Sequence, residues 1–304
     1  MKFGLNYSET AAKLTTQGLI RPDVFKCPAW PELITRLRGN FPIYIHFPLG
    51  VGAGIGDAID VETKRPADWP KFERLLEQTD TPYLNLHILS EGELRSDTPE
   101  SENHITAEQV QERMIRDVES VVSRFGKEMI ILENGYHLGA RNDYAIFHAD
   151  TITRVVEETG TGFLFDISHA RMAAMQLGLG YREYIAALPL HAVREIHVTG
   201  IQVVNEYWIQ RAEKNGLERS KLEKLIGPDG AWLPNGMIDH LPLTNRDWSI
   251  MKWAAMQLQS GSWQKPWVVS LECGGIGPFW EATFSETEML QQVPRLQELF
   301  EEKT

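Results

Sequence analysis

Nine residues of this chain are of types that hold metal ions: His46, His87, Glu133, Asp166, His169, His197, Asp239, His240 and Glu272. Six of them end a short apolar run. Ile130-Ile131-Leu132 leads into Glu133, Phe163-Leu164-Phe165 into Asp166, and Val268-Val269-Ser270-Leu271 into Glu272. Ile43-Tyr44-Ile45 stops at His46, Leu84-Asn85-Leu86 at His87, and Glu195-Ile196 at His197. Imidazole and carboxylate together suit zinc, manganese or iron, whereas a hard-cation site is built from oxygen. One ion takes about four to six ligands, so this many candidates points to two or three ions sharing carboxylates. The competing reading is a set of buried polar groups that satisfy one another. Glu133, Glu272 and the neighbouring Asn134 are the candidates for catalytic contact, and Arg171 and Arg246 are candidates to hold an anion. His104, His148 and His191 are assigned to surface or packing, and His137, one loop turn after Glu133, is left outside the ligand set.

The elements that must position these residues alternate. Apolar strands are expected at 2–7, 23–27, 42–46, 83–88, 129–133, 163–166, 194–198 and 267–272. Helical spacing separates them, most clearly over 106–125, where Thr106 and Gln109 form a capping box. Other helices are expected at 10–17, 30–38, 69–78, 144–158, 181–187, 248–258 and 287–301. Eight alternations predict a single (β/α)8 barrel over residues 1–304, with an excursion at 200–245 between the seventh strand and its helix. Such barrels place their chemistry at the C-terminal ends of the strands, where the six run-ending residues fall. Asp166-Ile167-Ser168-His169 is expected on a loop after its strand, and Asp239-His240 in the excursion, folded back over the mouth. The charged stretch Arg211 to Lys224 reads as one solvated helix, and Glu91 to Asn103 as a surface loop. Gly50 to Gly56 resembles a phosphate cradle, but no Gly-Lys-Ser/Thr follows and the Gly-x-Gly-x-x-Gly register fails, so a flexible loop is expected there.

Composition narrows the class. At 42% hydrophobic and 24% charged the chain is that of a soluble protein with a sizeable core. A formal charge of −12 argues against nucleic acid, and no apolar run is long enough for a bilayer. Cys27 and Cys273 are too far apart for a zinc-knuckle spacing; Cys273 reads as a core thiol, and a cytoplasmic location is expected.

The ligand order resembles the xylose isomerase-like barrel superfamily, whose metal set of Glu, Asp, His and Glu matches Glu133, Asp166, His197 and Glu272. The added histidines resemble two branches of it. His46, His87, Asp166-x-x-His169 and Asp239-His240 follow the order of the trinuclear zinc endonuclease IV type, although the adjacent Asp-His departs from that type's one-residue gap. Other wording resembles the multinuclear non-haem iron-dependent oxidative enzymes. It comprises a histidine-ended strand before a Gly-rich loop, His87-Ile88-Leu89-Ser90, Glu133-Asn134, and Leu188-Pro189-Leu190 leading into Glu195-Ile196-His197-Val198-Thr199-Gly200. Two positions depart from that branch: Ile201-Gln202 stands where a second histidine is usual, and His169 where asparagine is usual.

The iron branch implies two or three ions, iron favoured over zinc or manganese, and oxidation of a peptide or small-molecule substrate, with a partner protein that delivers the substrate left open. The alternatives are a one-metal sugar isomerase or epimerase, a trinuclear zinc phosphoesterase, and a metal-binding scaffold that docks a partner through Trp208 and Trp232.

Overall fold

The apolar runs form strands close to where the sequence puts them. A computed structural model describes residues 1–89, 106–135, 145–226 and 236–301. Its strands are β1 (Lys2–Asn6), β2 (Val24–Pro28), β3 (Ile43–His46), β4 (Leu49–Val51), β5 (Ile59–Asp60), β6 (Arg65–Pro66) and β7 (Leu84–Ile88). They continue with β8 (Ile130–Glu133), β9 (Gly162–Asp166), β10 (Val193–Val198), β11 (Gly200–Val203), β12 (Met237–Leu241) and β13 (Val268–Leu271). By contact the chain divides into two compact units, one built from Met1–Lys26 and Glu195–Thr304, the other from Cys27–His137 and Arg141–Arg194. Among the described residues no helix is long and apolar enough to cross a membrane. Ser90, the 91–103 loop, His104, His137, Tyr144 and Trp232 lie outside the described residues.

In the first unit β1 is flanked by β2 and β13, and β13 pairs on with β10, all in parallel. Leu5 stands opposite Leu271, and Asn6 opposite Lys26. Every residue of β13 is buried, as expected of a parallel strand covered on both faces. Helix Asn245–Gln259 opens on a Thr244/Asp247 capping box and helix Glu286–Phe300 on a Ser285/Glu288 box.

The excursion has its own order. β11 and β12 pair antiparallel, with a register shift between Gly200 and Gln202. A Cβ on Gly200 would meet the Pro242 carbonyl oxygen at 2.2 Å, so only glycine allows that approach. The charged stretch is two helices, Glu206–Lys214 and Arg219–Ile226, broken at Asn215-Gly216 where Gly216 takes φ +89°. It is not all solvated. Arg211 grips both oxygens of Glu288 at 3.0 and 2.5 Å and lies over the Trp208 ring. Burial pushes the Glu288 carboxyl up, but hydrogen bonds from Arg211 and Ser285 outweigh it and hold the group below the usual carboxylate range. Trp208 itself is buried with Ala212, Leu222, Ile238, Leu241 and Phe279, so it serves the excursion's core and is no docking surface.

In the second unit β7, β8 and β9 pair in parallel, β4 pairs in parallel with β7, and β5 and β6 follow antiparallel. The Gly-rich segment therefore begins as a strand, with Gly50 opposite His87. The rest of it is pinned, which corrects the flexible loop expected from its glycines. Helix Ala107–Phe125 buries Val110, Met114, Val118 and Val121 on one face, and Asp117 is buried in the same stripe. The Asp117 carboxylate accepts the amides of Gly52, Gly54 and Gly56 at 2.9, 2.9 and 2.7 Å. Gly52 is held at φ +105°, where a Cβ would meet the Leu89 carbonyl oxygen at 2.2 Å.

Candidate metal centre

The second unit gathers five of the nine ligand candidates at the ends of β3, β7, β8 and β9. His87 and Glu133 stand opposite each other in register on β7 and β8. Glu133 is buried, and its two oxygens face different histidines. Oε2 lies 3.0 Å from His87 Nδ1 and 3.4 Å from His46 Nε2, while Oε1 lies 3.6 Å from His169 Nδ1. Glu133, Asp166 and His169 each offer a ligand atom within 4.8 Å of the others.

His169 is on a helix, not the expected loop, and Asp166 ends β9. Asp166 caps helix Ile167–Gln176, its Oδ1 accepting the amides of Ser168 and His169 at 2.6 and 2.8 Å. This cap turns His169 back toward the strand ends, with Nε2 3.7 Å from Asp166 Oδ2. His169 Nδ1 donates to the Asn134 carbonyl at 2.8 Å, because a carbonyl can only accept. In the neutral ring Nε2 then carries the lone pair and faces the carboxylate, as a metal-binding imidazole requires.

Asn134, a candidate for substrate contact, is used locally. Its amide accepts from Asp166 N and donates to Asp166 O, both at 2.9 Å. That is a positioning contact. Asn85, which the sequence reading passed over, does the same for His46. It accepts from Phe47 N at 2.7 Å, donates to Phe47 O at 3.0 Å and points its amide nitrogen at His46 Nε2 at 3.3 Å. Arg171 is buried on the helix that carries His169. His148 and His191 are exposed, as assigned, and Arg246 is exposed too.

The first unit gathers the other four. His197, on β10, lies with Nδ1 3.0 Å from Glu272 Oε1, just past the end of β13. His197 Nε2 is 2.7 Å from Glu195 Oε1, so the carboxylate accepts a hydrogen bond from Nε2–H and Nδ1 is turned toward Glu272. Glu195 is steadied in turn by Trp267 Nε1 at 3.2 Å. Asp239 and His240 lie on β12, not in a loop, with His240 Nε2 3.8 Å from Asp239 Oδ2 and 4.0 Å from Glu272 Oε2. His240 takes φ +58°, a left-handed backbone that bends its ring back over the strand end. Cys273 is buried as a core thiol, and burial first, then the Glu288 charge, pushes its pKa well above the usual value.

Sequence reasoning gave no role to Lys26, Asn85, Asp117 or Glu195. Lys26 and Asp117 carried a signal, each a charge inside an otherwise apolar element. Glu195, two residues before His197, points to the same side of its strand. Asn85 carried none.

Residues 24–215 match the family model for the RiPP precursor modification enzyme MbnB/TglH/ChrH. The chain belongs to that family. The match includes His46, His87, Glu133, Asp166, His169 and His197 and ends before Asp239. A UPF0276 protein of Caulobacter vibrioides is 22% identical over 183 residues, 60% of this chain and 63% of the relative, so the match spans less than two thirds of that protein. Among solved structures, a xylose isomerase domain containing protein from Salmonella typhimurium is similar with a TM-score of 0.56 at 14% identity, over 98% of this chain and 97% of its own. Endonuclease IV from Thermus thermophilus is similar with a TM-score of 0.53 at 15% identity, over 98% and 99%. The fold is thus the α/β barrel class that the alternation of elements predicts, of the xylose isomerase-like kind that the ligand order resembles. Within that fold, Glu133, Asp166 and His169 form a group of imidazole and carboxylate donors that could hold a metal ion.

Proposed function

We propose that this chain is a multinuclear non-haem iron enzyme that oxidises a peptide or small-molecule substrate. The observation that carries the reading is Glu133, whose Oε2 faces His46 and His87 and which also forms a ligand group with Asp166 and His169. A carboxylate so placed suits two ions, where a sugar isomerase of this fold needs one. The donors are nitrogen and oxygen without thiolate, a set that fits iron, zinc or manganese. His46, His87, Glu133, Asp166 and His169 of the second unit, and His197, Asp239, His240 and Glu272 of the first, are the proposed ligands. Membership of a family that modifies ribosomally made peptides supports a peptide as substrate.

Iron, when bound, supplies redox chemistry with dioxygen that no side chain here can. The chain's own residues hold and orient. Asn134 fixes the backbone of Asp166 and the proton of His169; Asn85 fixes the turn after His46; Glu195 fixes the proton of His197. Asn134 is therefore a positioning residue, and Glu133 and Glu272 each hold charge among the ligands of their own unit. A cytoplasmic location and a partner that delivers the peptide go with this reading. The charge of −12 argues against the phosphoesterase alternative, whose nucleic-acid substrate is itself an anion.

Elemental analysis of protein purified without chelator or added metal tests the proposal. Two or three irons per chain are expected, with oxygen consumption on a peptide substrate to follow. One manganese or zinc per chain would overturn it in favour of an isomerase, and three zincs in favour of a phosphoesterase.

A further inference from the structure

Lys26 and Glu272 meet inside the first unit. Lys26 lies on β2 opposite Asn6 of β1, and Leu5 of β1 stands opposite Leu271 of β13, so Lys26, Asn6 and Glu272 share one layer across three neighbouring strands. Asn6 turns its amide to the Gly274 carbonyl at 3.2 Å. Lys26 Nζ reaches across to Glu272 Oε1. Both side chains are buried, at 8% and 3% exposure, so this is no solvated surface pair. The same oxygen faces His197 Nδ1 at 3.0 Å, while Oε2 faces His240 Nε2. An ammonium therefore stands on the one carboxylate that the first unit's two histidines share.

We propose that Lys26 is a resident cation at Glu272, which weakens the binding of a divalent metal ion there and so sets how many ions the first unit's ligands retain. This rests on the metal reading of Glu272 given above. A positive charge in a buried site opposes a second one far more than it would in water. It also neutralises the carboxylate while no ion is bound, which a buried carboxylate requires. A lysine serves both ends because its single charge sits on a flexible stem and can give way to a metal ion. Were the pair only a structural ion link, its loss would lower stability and leave metal affinity unchanged or weaker.

Zinc(II) binding to chelator-stripped full-length protein distinguishes the two. Lys26→Met is expected to bind its weakest zinc at least about tenfold more tightly than wild type. Added zinc is also expected to raise its Tm by more than it raises that of wild type. Lys26→Arg, which keeps the charge, is expected to match wild type, and a Lys26→Met/Glu272→Gln double variant to lose the gain. Lys26→Gln repeats the test should the methionine variant fail to fold. Unchanged or weaker zinc binding in both neutral variants, with wild type binding zinc normally, overturns the role of Lys26 alone. Wild type that takes up neither zinc nor iron overturns the metal reading, and this role with it.

Discussion

Glu195 accepts a hydrogen bond from His197 Nε2 at 2.7 Å and so aims the ring's other nitrogen at Glu272. The two residues are two apart on one strand, so their side chains lie on the same face. Replacing Glu195 with glutamine leaves the size and removes the charge that holds this tautomer. Metal affinity is expected to fall about 10- to 100-fold, read by competition against a chromophoric chelator. Wild-type affinity in Glu195→Gln would mean that the pair does not orient the ring for binding.

Glu133 should matter more than any single histidine. His87→Ala removes a group facing Oε2 only, whereas Glu133→Gln disturbs both sides of the carboxylate. The expected outcome is a greater loss of metal per chain in Glu133→Gln than in His87→Ala or His46→Ala. Elemental analysis of the three variants beside wild type measures it. Equal losses would remove the case for a shared carboxylate.

Asp117 is a stability residue with three dependants. Its removal leaves the amides of Gly52, Gly54 and Gly56 without their acceptor. Asp117→Ala is expected to cost about 4 kcal/mol, since hydrogen bonds to a charged group contribute about 1.5–3 kcal/mol each and do not add fully. Asp117→Asn should cost less. Urea unfolding gives both values, and a loss within error of zero would contradict the pinned loop.

Tyr184 lies buried with a hydroxyl that has no hydrogen-bond partner among the described residues. Tyr184→Phe is expected to raise stability by about 1 kcal/mol, because a buried donor without an acceptor costs free energy. Burial also pushes the phenol's pKa up in the folded protein. The unfolded chain then loses its proton first, near pH 10. Stability is therefore unaffected by this ionisation below that pH and falls as pH rises toward the higher folded value. The phenylalanine variant should lose less stability above about pH 10, as urea midpoints across pH will report.

Much of this was legible in the sequence because two periodicities dominate it. β8, β9 and β13 are buried on both faces, so they read as unbroken apolar runs, and the polar residue at each end stands out. The Thr106/Gln109 box marked a helix start to the residue. What stayed hidden depends on the backbone beyond a strand. Asp166 both ends β9 and caps the next helix, so the segment through His169 reads as a loop until the cap is seen. His240 owes its direction to a left-handed backbone that nothing in the neighbouring sequence announces. The pairing of Lys26 with Glu272 joins positions 246 apart in sequence, which no local pattern records.

The Gly-rich loop and Asp117 have a consequence for how this protein can change over time. The loop's amides converge as they would on a phosphate, but the anion they hold is supplied by the chain itself. Positions 52, 54, 56 and 117 therefore depend on one another as one structural unit. A lineage that discards the carboxylate must rebuild the loop, or open it to an outside anion.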